Sequence, residues 1–212
     1  MNMYLDKKDL DSLDLRYRAN LIQTLWGIRP ACLIATKSTH NQSNVAVFNG
    51  IMHLGANPPL VGIHFRPIEP STNRHTYHNF KETGYATINQ IHEEFYTQAH
   101  QTSGNYDGNE FEICGLTEEY STQYKVPFVK ESKVKAVLKY LEEIQISYNN
   151  SLMVIAEIVE IHIENEAWIQ ENGIINLETC NTVGIAGLHS YYSIKKINDL
   201  AYVARKDIQA HK

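Results

Sequence analysis

The sequence predicts a mainly β protein built on a closed or nearly closed antiparallel barrel. Short apolar runs separated by turn residues recur along the chain, and two long alternating segments follow each other from residue 134 to residue 163. Strands and helices do not alternate as a parallel α/β fold requires. Because 212 residues are about 1.4 times a ~150-residue domain and no linker or repeat is visible, we expect a single domain over residues 1–212.

The N-terminal segment, residues 1–27, predicts one amphipathic helix. Apolar side chains recur at three- and four-residue steps over roughly residues 9–25, and Gly27 marks its end. We expect this helix to cap another part of the molecule.

Four strands and one helix are predicted before residue 90. A helix that Ser71 or Thr72 could cap runs through Phe80, and Gly84 ends it. The strands are short apolar runs bounded by turns, at residues 31–36, 44–48, 60–64 and 85–89.

The second half of the chain begins with a polar excursion over residues 92–131. Its glycines interrupt it, and only a helix near residues 93–100 is expected, so we interpret it as lid-like. Two long antiparallel strands follow, joined by a turn at Asn149 and Asn150, and then a short helix around residues 168–177 and a last strand at 183–187.

Composition narrows the class of protein. Hydrophobic residues make up 43% of the chain and charged residues 20%, as in ordinary folded proteins. A formal charge of −5 argues against a nucleic-acid surface. The N-terminus has no apolar signal region, no apolar stretch is long enough to span a membrane, and three unpaired cysteines fit a reducing compartment, so we expect a cytoplasmic protein.

Common enzyme motifs are absent from the sequence. It has no phosphate-binding P-loop, no dinucleotide-binding glycine motif, no H-E-x-x-H, no G-x-S-x-G and no C-x-x-C. His75 and His78 could share a helix face as metal ligands, but no third ligand is evident, so we predict no metal site.

The segment from Ser71 to Asn79 is the strongest candidate for ligand binding. It brings hydroxyls, the Arg74 guanidinium and free backbone N–H groups to a helix start, where an anion such as phosphate is favoured. Arg66 adds a second cation nearby in sequence. The alternatives are a capped surface helix and, for Arg66, a surface ion pair.

The strand from Asn44 to Asn49, with the neighbouring run from Ala31 to Thr36, is a second candidate. Small residues such as Ala46 let strand backbone approach a flat heteroaromatic ring, and the two asparagines could bind its edges. The alternative is a plain barrel strand with polar ends.

An ordered set of short motifs resembles the flavin reductase-like family, the FMN-binding split barrels. The set covers most of residues 18–190 and comprises Arg29-Pro30-Ala31, Asn44-x-Ala46-x-Phe48, Asn57-Pro58-Pro59-Leu60-Val61-Gly62, Thr76-x-x-Asn79, Thr83-Gly84, Asn89, Gly115-Leu116 and Val126-Pro127-Phe128-Val129. The resemblance implies a six-stranded Greek-key barrel, a homodimer with FMN bound near its interface, and hydride transfer from NADH or NADPH to flavin.

The resemblance also implies which residues bind the cofactor. The strand Asn44, Val45, Ala46, Val47, Phe48 and Asn49 would contact the ring and ribityl chain, and Arg74, Thr76 and Asn79 would form the phosphate side. Thr36, Arg66 and His75 complete the set of residues that we expect to bind the cofactor. His75 stands where many relatives have Asp. The segment from Gly187 resembles the family's closing Gly-x-x-x-Tyr, and either Tyr191 or Tyr192 could face inward.

Two functions follow from these expectations. The first is a flavin reductase in which the cofactors carry the chemistry and no catalytic side chain is required. The alternative is an FMN-binding electron carrier or sensor of the same fold. A pyridoxamine-phosphate-oxidase-like enzyme would need a cluster of basic residues around a substrate pocket, and the sequence shows no clear one.

Overall fold

Seven antiparallel strands form the central sheet of the protein, which confirms the predicted mainly β fold. The computed structural model describes residues 2–68 and 74–201. Among these residues the helices are α1 (Lys7–Ser12), α2 (Leu15–Thr24), α3 (His75–Thr83), α4 (Tyr96–Gln101) and α5 (Glu110–Ile113). The strands are β1 (Arg29–Pro30), β2 (Cys32–Lys37), β3 (Ser43–Phe48), β4 (Ile51–Ala56), β5 (Pro59–Phe65), β6 (Tyr85–Gln90), β7 (Glu118–Tyr120), β8 (Pro127–Val129), β9 (Val134–Ile146), β10 (Ser151–Ile163), β11 (Val183–Ala186) and β12 (Ser190–Ser193).

The order of the strands requires the sheet to curl into a barrel. The order is β3-β2-β6-β9-β10-β5-β4, so β3 and β4 lie at opposite edges. Only Asn49 and Gly50 join them, and three Cα steps span at most ~11 Å. The edges therefore approach each other, yet β3 and β4 form no ladder in the part of the chain described, and the barrel is split there.

Strand β4 extends the sheet to seven strands, one more than the resemblance implies. Its alternation is broken by a bulge between His53 and Gly55, and Met52 and Leu54 are exposed. An exposed edge strand with an irregular register lacks the apolar alternation that identifies strands in a sequence.

Both faces of β2 are buried, which explains its continuous apolar run. Leu33 and Ala35 join a cluster with Phe95 and Phe111 of the 92–131 excursion. Ile34 points the other way, into a second cluster with residues such as Phe80, and this cluster fills the barrel. Strand β2 thus separates two cores, one of them covered by the excursion.

The single N-terminal helix predicted over residues 9–25 is two helices. The Asp14 carboxylate accepts hydrogen bonds from the backbone N–H groups of Arg16 and Tyr17 and so starts a new helix, α2. Asp6 caps α1 in the same way. Neither helix has a buried residue.

The helix predicted at residues 168–177 is wrong. The chain forms one turn of 3-10 helix at Glu166–Trp168 and then a β-bridge between Ile169 and Ile175. Asparagine side chains cause this, since Asn165 and Asn172 bind backbone N–H groups two residues ahead and compete with helical hydrogen bonds. Beyond it, β11 confirms the last predicted strand.

The 92–131 excursion has ordered structure of its own, comprising α4, α5 and the hairpin of β7 and β8. Its Glu118 accepts hydrogen bonds from Ser43 at 2.9 Å and Asn109 at 3.0 Å, which fastens the excursion to the start of β3. No helix in residues 2–68 and 74–201 has the length and apolar composition of a membrane span.

Candidate functional site

A cavity of about 860 Å³ lies along strand β3. The start of α3 forms one part of its wall, and the excursion contributes another through His100 and residues 102–106. Helix α2, strands β1 and β5 and the segment after β11 also contribute lining residues. The split in the barrel therefore lies beside a pocket of the size that small-molecule sites usually have.

Most of the residues predicted to bind a cofactor line this cavity. They are Asn44, Ala46, Val47, Phe48, Asn49, Arg66, Arg74, His75 and Thr76. Thr36, Val45 and Asn79 are not among its lining residues. Val45 is fully buried in the core beneath the excursion, and Asn79 donates a 3.2 Å hydrogen bond to Thr36 Oγ1 behind the cavity wall. These three support the wall from within.

The N-terminus of α3 forms a cationic end of the cavity, which we call the α3 pole and define as Arg74, His75 and Thr76. The predicted capping residues Ser71 and Thr72, and Asn73, lie outside the described residues. The residue at the N-cap is Arg74, whose side chain makes no capping hydrogen bond. Arg74 thus leaves the first N–H groups of the helix uncapped among the described residues, and such groups bind anions at a helix start.

Two further observations show that the α3 pole contains hydrogen-bond donors with no acceptor among the described residues. Asn44 Nδ2 donates to Thr76 Oγ1 at 2.9 Å, so the hydroxyl hydrogen of Thr76 is left for another acceptor. Arg74 Nε is buried and has no partner among the residues that the structure describes. A phosphate group accepts from donors of both kinds.

The middle of the cavity is apolar. Ala46, Val47 and Phe48 of β3 line it, and the Phe48 ring packs edge-on against Phe65 with 5.2 Å between centroids. Because an aromatic ligand needs such a surface, this part of β3 suits a flat ring.

At the far end of β3 lies a second polar cluster that the sequence did not assign. Arg29 Nη2 donates to the carbonyl oxygen of Gly187 at 3.1 Å, and Asn49 Nδ2 donates to the same oxygen at 2.7 Å. Gln23, His64 and His189 also line the cavity. We call Gln23, Arg29, His64 and His189 the Arg29 pole; its only signal in the sequence was the Arg29-Pro30 pair.

The structure places Tyr191, not Tyr192, on the inside. Tyr191 packs on the core, and its hydroxyl lies 3.3 Å from Nδ1 of His100, a cavity residue. Burial raises the pKa of Tyr191 to about 12. Tyr192 is 46% exposed. Tyr191 thus positions His100 in the wall.

The cavity is cationic although the chain as a whole is acidic. Its described lining contains three arginines and four histidines, and the only acid among them is Glu110. Burial and the charge of Arg29 lower the pKa of His64. Such a cavity attracts anions against the net charge of −5.

Metal ligands and disulfides do not account for the site. The described part of the chain holds no group of three or more His, Cys, Asp or Glu side chains arranged to bind a metal. Cys32, Cys114 and Cys180 are buried and free.

Comparison with known proteins identifies a common domain. The family model of the flavin reductase like domain matches residues 28–172. An uncharacterized protein of Aquifex aeolicus is 27% identical over 161 residues, which cover 75% of this chain and 81% of that protein.

Solved structures share the whole architecture. A protein of Shewanella frigidimarina described as a flavin reductase with a split barrel domain is 40% identical, with a TM-score of 0.90 over 95% of this chain and all of that chain. Nitrilotriacetate monooxygenase component B of Bacillus cereus has a TM-score of 0.81 at 18% identity, over 94% of this chain and 99% of its own. The latter likeness concerns the fold.

Proposed function

Because the chain belongs to the flavin reductase-like family and is thus a flavin-related oxidoreductase, we propose that it binds FMN and catalyses the reduction of that flavin by NADH or NADPH. The observation that carries the choice of FMN is the α3 pole. Riboflavin has no phosphate to accept hydrogen bonds from Arg74, from Thr76 and from the first N–H groups of α3.

The chain's residues would hold FMN at both of its ends. The α3 pole binds the phosphate, and the apolar side chains of Ala46, Val47 and Phe48 support the ring. When bound, the flavin supplies the ring that accepts a hydride from nicotinamide. The protein's own part is to orient the two rings and to keep water from them, so this reaction requires no catalytic acid or base from the protein.

We propose a homodimer as the working form. Helices α1 and α2 have no buried residue, and Leu25 and Trp26 at the end of α2 are 65% and 71% exposed. The same helix contributes Gln23 to the cavity. A second copy that covers this apolar end removes it from water and lies next to the cofactor.

Two measurements test the function. Titration of FMN and of riboflavin into the purified protein should give much tighter binding of FMN, and equal affinities would remove the phosphate argument. Anaerobic addition of NADH or NADPH to the FMN-loaded protein should then bleach the flavin absorbance. Stoichiometric FMN that neither nucleotide bleaches would instead support the electron carrier or sensor.

A further inference from the structure

The phosphate of FMN does not account for the Arg29 pole. Asn44 lies beside the α3 pole and Asn49 beside the Arg29 pole, at the two ends of β3. Five residues of extended strand separate these asparagines by roughly 16 Å. FMN has a single phosphate, which the α3 pole already binds in the proposed function, so the Arg29 guanidinium at the other end of the cavity is left for a different acceptor.

The donors at the Arg29 pole are oriented by the fold. Arg29 uses Nη2 to bind the carbonyl of Gly187, while its Nε is buried without a partner among the described residues. A buried donor of this kind usually has a partner, and Arg29 lines the cavity.

The Thr24 side chain of helix α2 lies close to Gly187 at this end of the cavity. Gly187 has a positive φ of 63°, and a Cβ there would lie 3.2 Å from Thr24 Cγ2. Glycine therefore lets α2 approach the segment that carries His189, and Gln23 and Arg29 meet at one site.

The charge at this pole matches a monoanion. Arg29 supplies one permanent positive charge, and burial together with the Arg29 charge lowers the pKa of His64 beside it, which disfavours a second positive charge there. A planar guanidinium with a free N–H suits the planar carboxylate group, whereas a phosphate dianion would call for more positive charge.

We propose that the Arg29 pole is a subsite for the carboxylate of a small organic acid that shares the cavity with the flavin. This proposal rests on the proposed function. The apolar surface of β3 lies between the two poles, so the rest of such a ligand lies over the ring-binding region.

Benzoate is the probe for this subsite, and benzamide is its uncharged counterpart. Both are titrated into FMN-loaded protein by calorimetry, with the flavin spectrum as a second readout, and again into FMN-free protein. Benzoate should bind and benzamide should bind at least tenfold more weakly. Arg29→Gln should weaken benzoate binding at least tenfold, Arg29→Lys should retain part of it, and Arg16→Gln on the exposed face of α2 should have no effect.

Four outcomes would overturn the subsite, and a fifth would reject only the flavin proposal. Equal affinity for benzoate and benzamide, or an unchanged benzoate affinity in Arg29→Gln that melts like the wild type, would show that Arg29 does not bind a carboxylate. Tighter binding of inorganic phosphate than of benzoate to the FMN-loaded protein would reject the carboxylate. A loss of FMN affinity in Arg29→Gln as large as in Arg74→Gln would assign Arg29 to the flavin. Failure of the protein to bind FMN while FMN-free protein still distinguishes benzoate from benzamide would reject the flavin proposal and retain the subsite.

Discussion

Asn44 and Thr76 are joined by a buried hydrogen bond of 2.9 Å between Nδ2 of the asparagine and Oγ1 of the threonine. The bond links strand β3 to the first turn of α3, so the strand proposed to support the ring and the helix proposed to bind the phosphate are held in one geometry. It also fixes the direction of the Thr76 hydroxyl, because an oxygen that accepts from Asn44 directs its hydrogen elsewhere.

Thr76→Val should weaken FMN binding by about tenfold, the scale of one lost hydrogen bond to a charged group. Valine keeps the shape of the side chain, but it removes the donor and leaves Asn44 Nδ2 without its acceptor. Fluorescence titration with FMN measures the effect, and Thr97→Val, on the exposed face of α4, is the matched control. Equal FMN affinities of Thr76→Val and the wild type would exclude the hydroxyl from the site.

Arg74→Gln should weaken FMN binding by roughly 1.5 to 3 kcal/mol, the energy of a charge-assisted hydrogen bond. Riboflavin affinity should stay the same, since it lacks the phosphate. Isothermal titration of both flavins into the variant and into Arg16→Gln separates the local contact from a general change in charge. An equal loss for riboflavin would argue against a phosphate contact at Arg74.

The sequence predicted the strands of the barrel better than its helices. Strands β2, β3, β5 and β6 are short runs with turns between them, and tertiary packing agrees with that pattern. The two helix predictions that failed, at residues 9–25 and 168–177, failed for the same reason. Asp14 in the first segment, and Asn165 and Asn172 around the second, accept hydrogen bonds from backbone N–H groups two or three residues ahead. These local hydrogen bonds compete with a continuous helix, and the spacing of apolar residues in the sequence does not reveal them.

The sequence predicted those parts of the candidate site whose residues are contiguous in the chain. The α3 pole is contiguous in sequence, and strand β3 supplies most of the rest. The Arg29 pole escaped prediction because Gln23, Arg29, His64 and His189 come from four separate segments that only the fold brings together. Val45 was assigned to the site by its place in the strand, yet it is fully buried in the core beneath the excursion.

His92 should make the protein less stable in mild acid. It is fully buried, and its Nε2 accepts a hydrogen bond from the backbone N–H of Lys133 at 3.0 Å. Burial, with a smaller contribution from the Lys133 charge, lowers the pKa of His92 from 6.5 to about 4, against a raising effect of Glu94. The unfolded chain therefore binds the proton first, and stability falls as the pH drops from 6.5 towards 4.

Urea denaturation at pH 7.5 and pH 5 measures this dependence. His92→Gln keeps an acceptor for Lys133 but removes the titrating group, so its stability should fall less over this interval, by on the order of 2 kcal/mol. His40→Gln, in an exposed turn, is the control and should behave as the wild type. An identical fall in His92→Gln would assign the acid sensitivity to other groups.

Glu143 should stabilise the folded protein because it binds two side chains of α3 and so holds this helix in place. Its carboxylate accepts hydrogen bonds from Lys81 and Tyr77 of α3 and from Tyr140. Desolvation raises the pKa of Glu143, but these hydrogen bonds outweigh it and bring the pKa down to about 2. Because the folded pKa lies below the ordinary value of 4.5, this stabilisation is present above pH 4.5 and is lost as the pH falls towards 2.

Glu143→Gln should lower the free energy of unfolding by roughly 1 to 2 kcal/mol at pH 7, as expected for hydrogen bonds to a charged group near the surface. The difference from the wild type should shrink at pH 3, where the wild-type carboxylate begins to lose its advantage. Asp11→Asn, which breaks the exposed pair with Lys7, should change stability little at either pH. A difference that stays constant with pH would contradict the role of the charge.

Dimer formation and flavin affinity should change together, because one helix serves both. Gln23 of α2 lines the cavity, and Leu25 and Trp26 just beyond it are largely exposed. If a second copy covers these side chains, assembly and flavin binding are linked equilibria, and a variant that weakens the first weakens the second. Trp26→Ser should therefore shift the protein towards monomer and raise the FMN dissociation constant, while Tyr148→Ser, at a fully exposed hairpin tip, should change neither. Sedimentation over a range of concentrations, followed at both protein and flavin wavelengths, measures the two equilibria at once.

The excursion over residues 92–131 already forms part of the cavity wall. A monomer that holds stoichiometric FMN would therefore show that the wall of one chain is sufficient for binding and that the second copy is not needed.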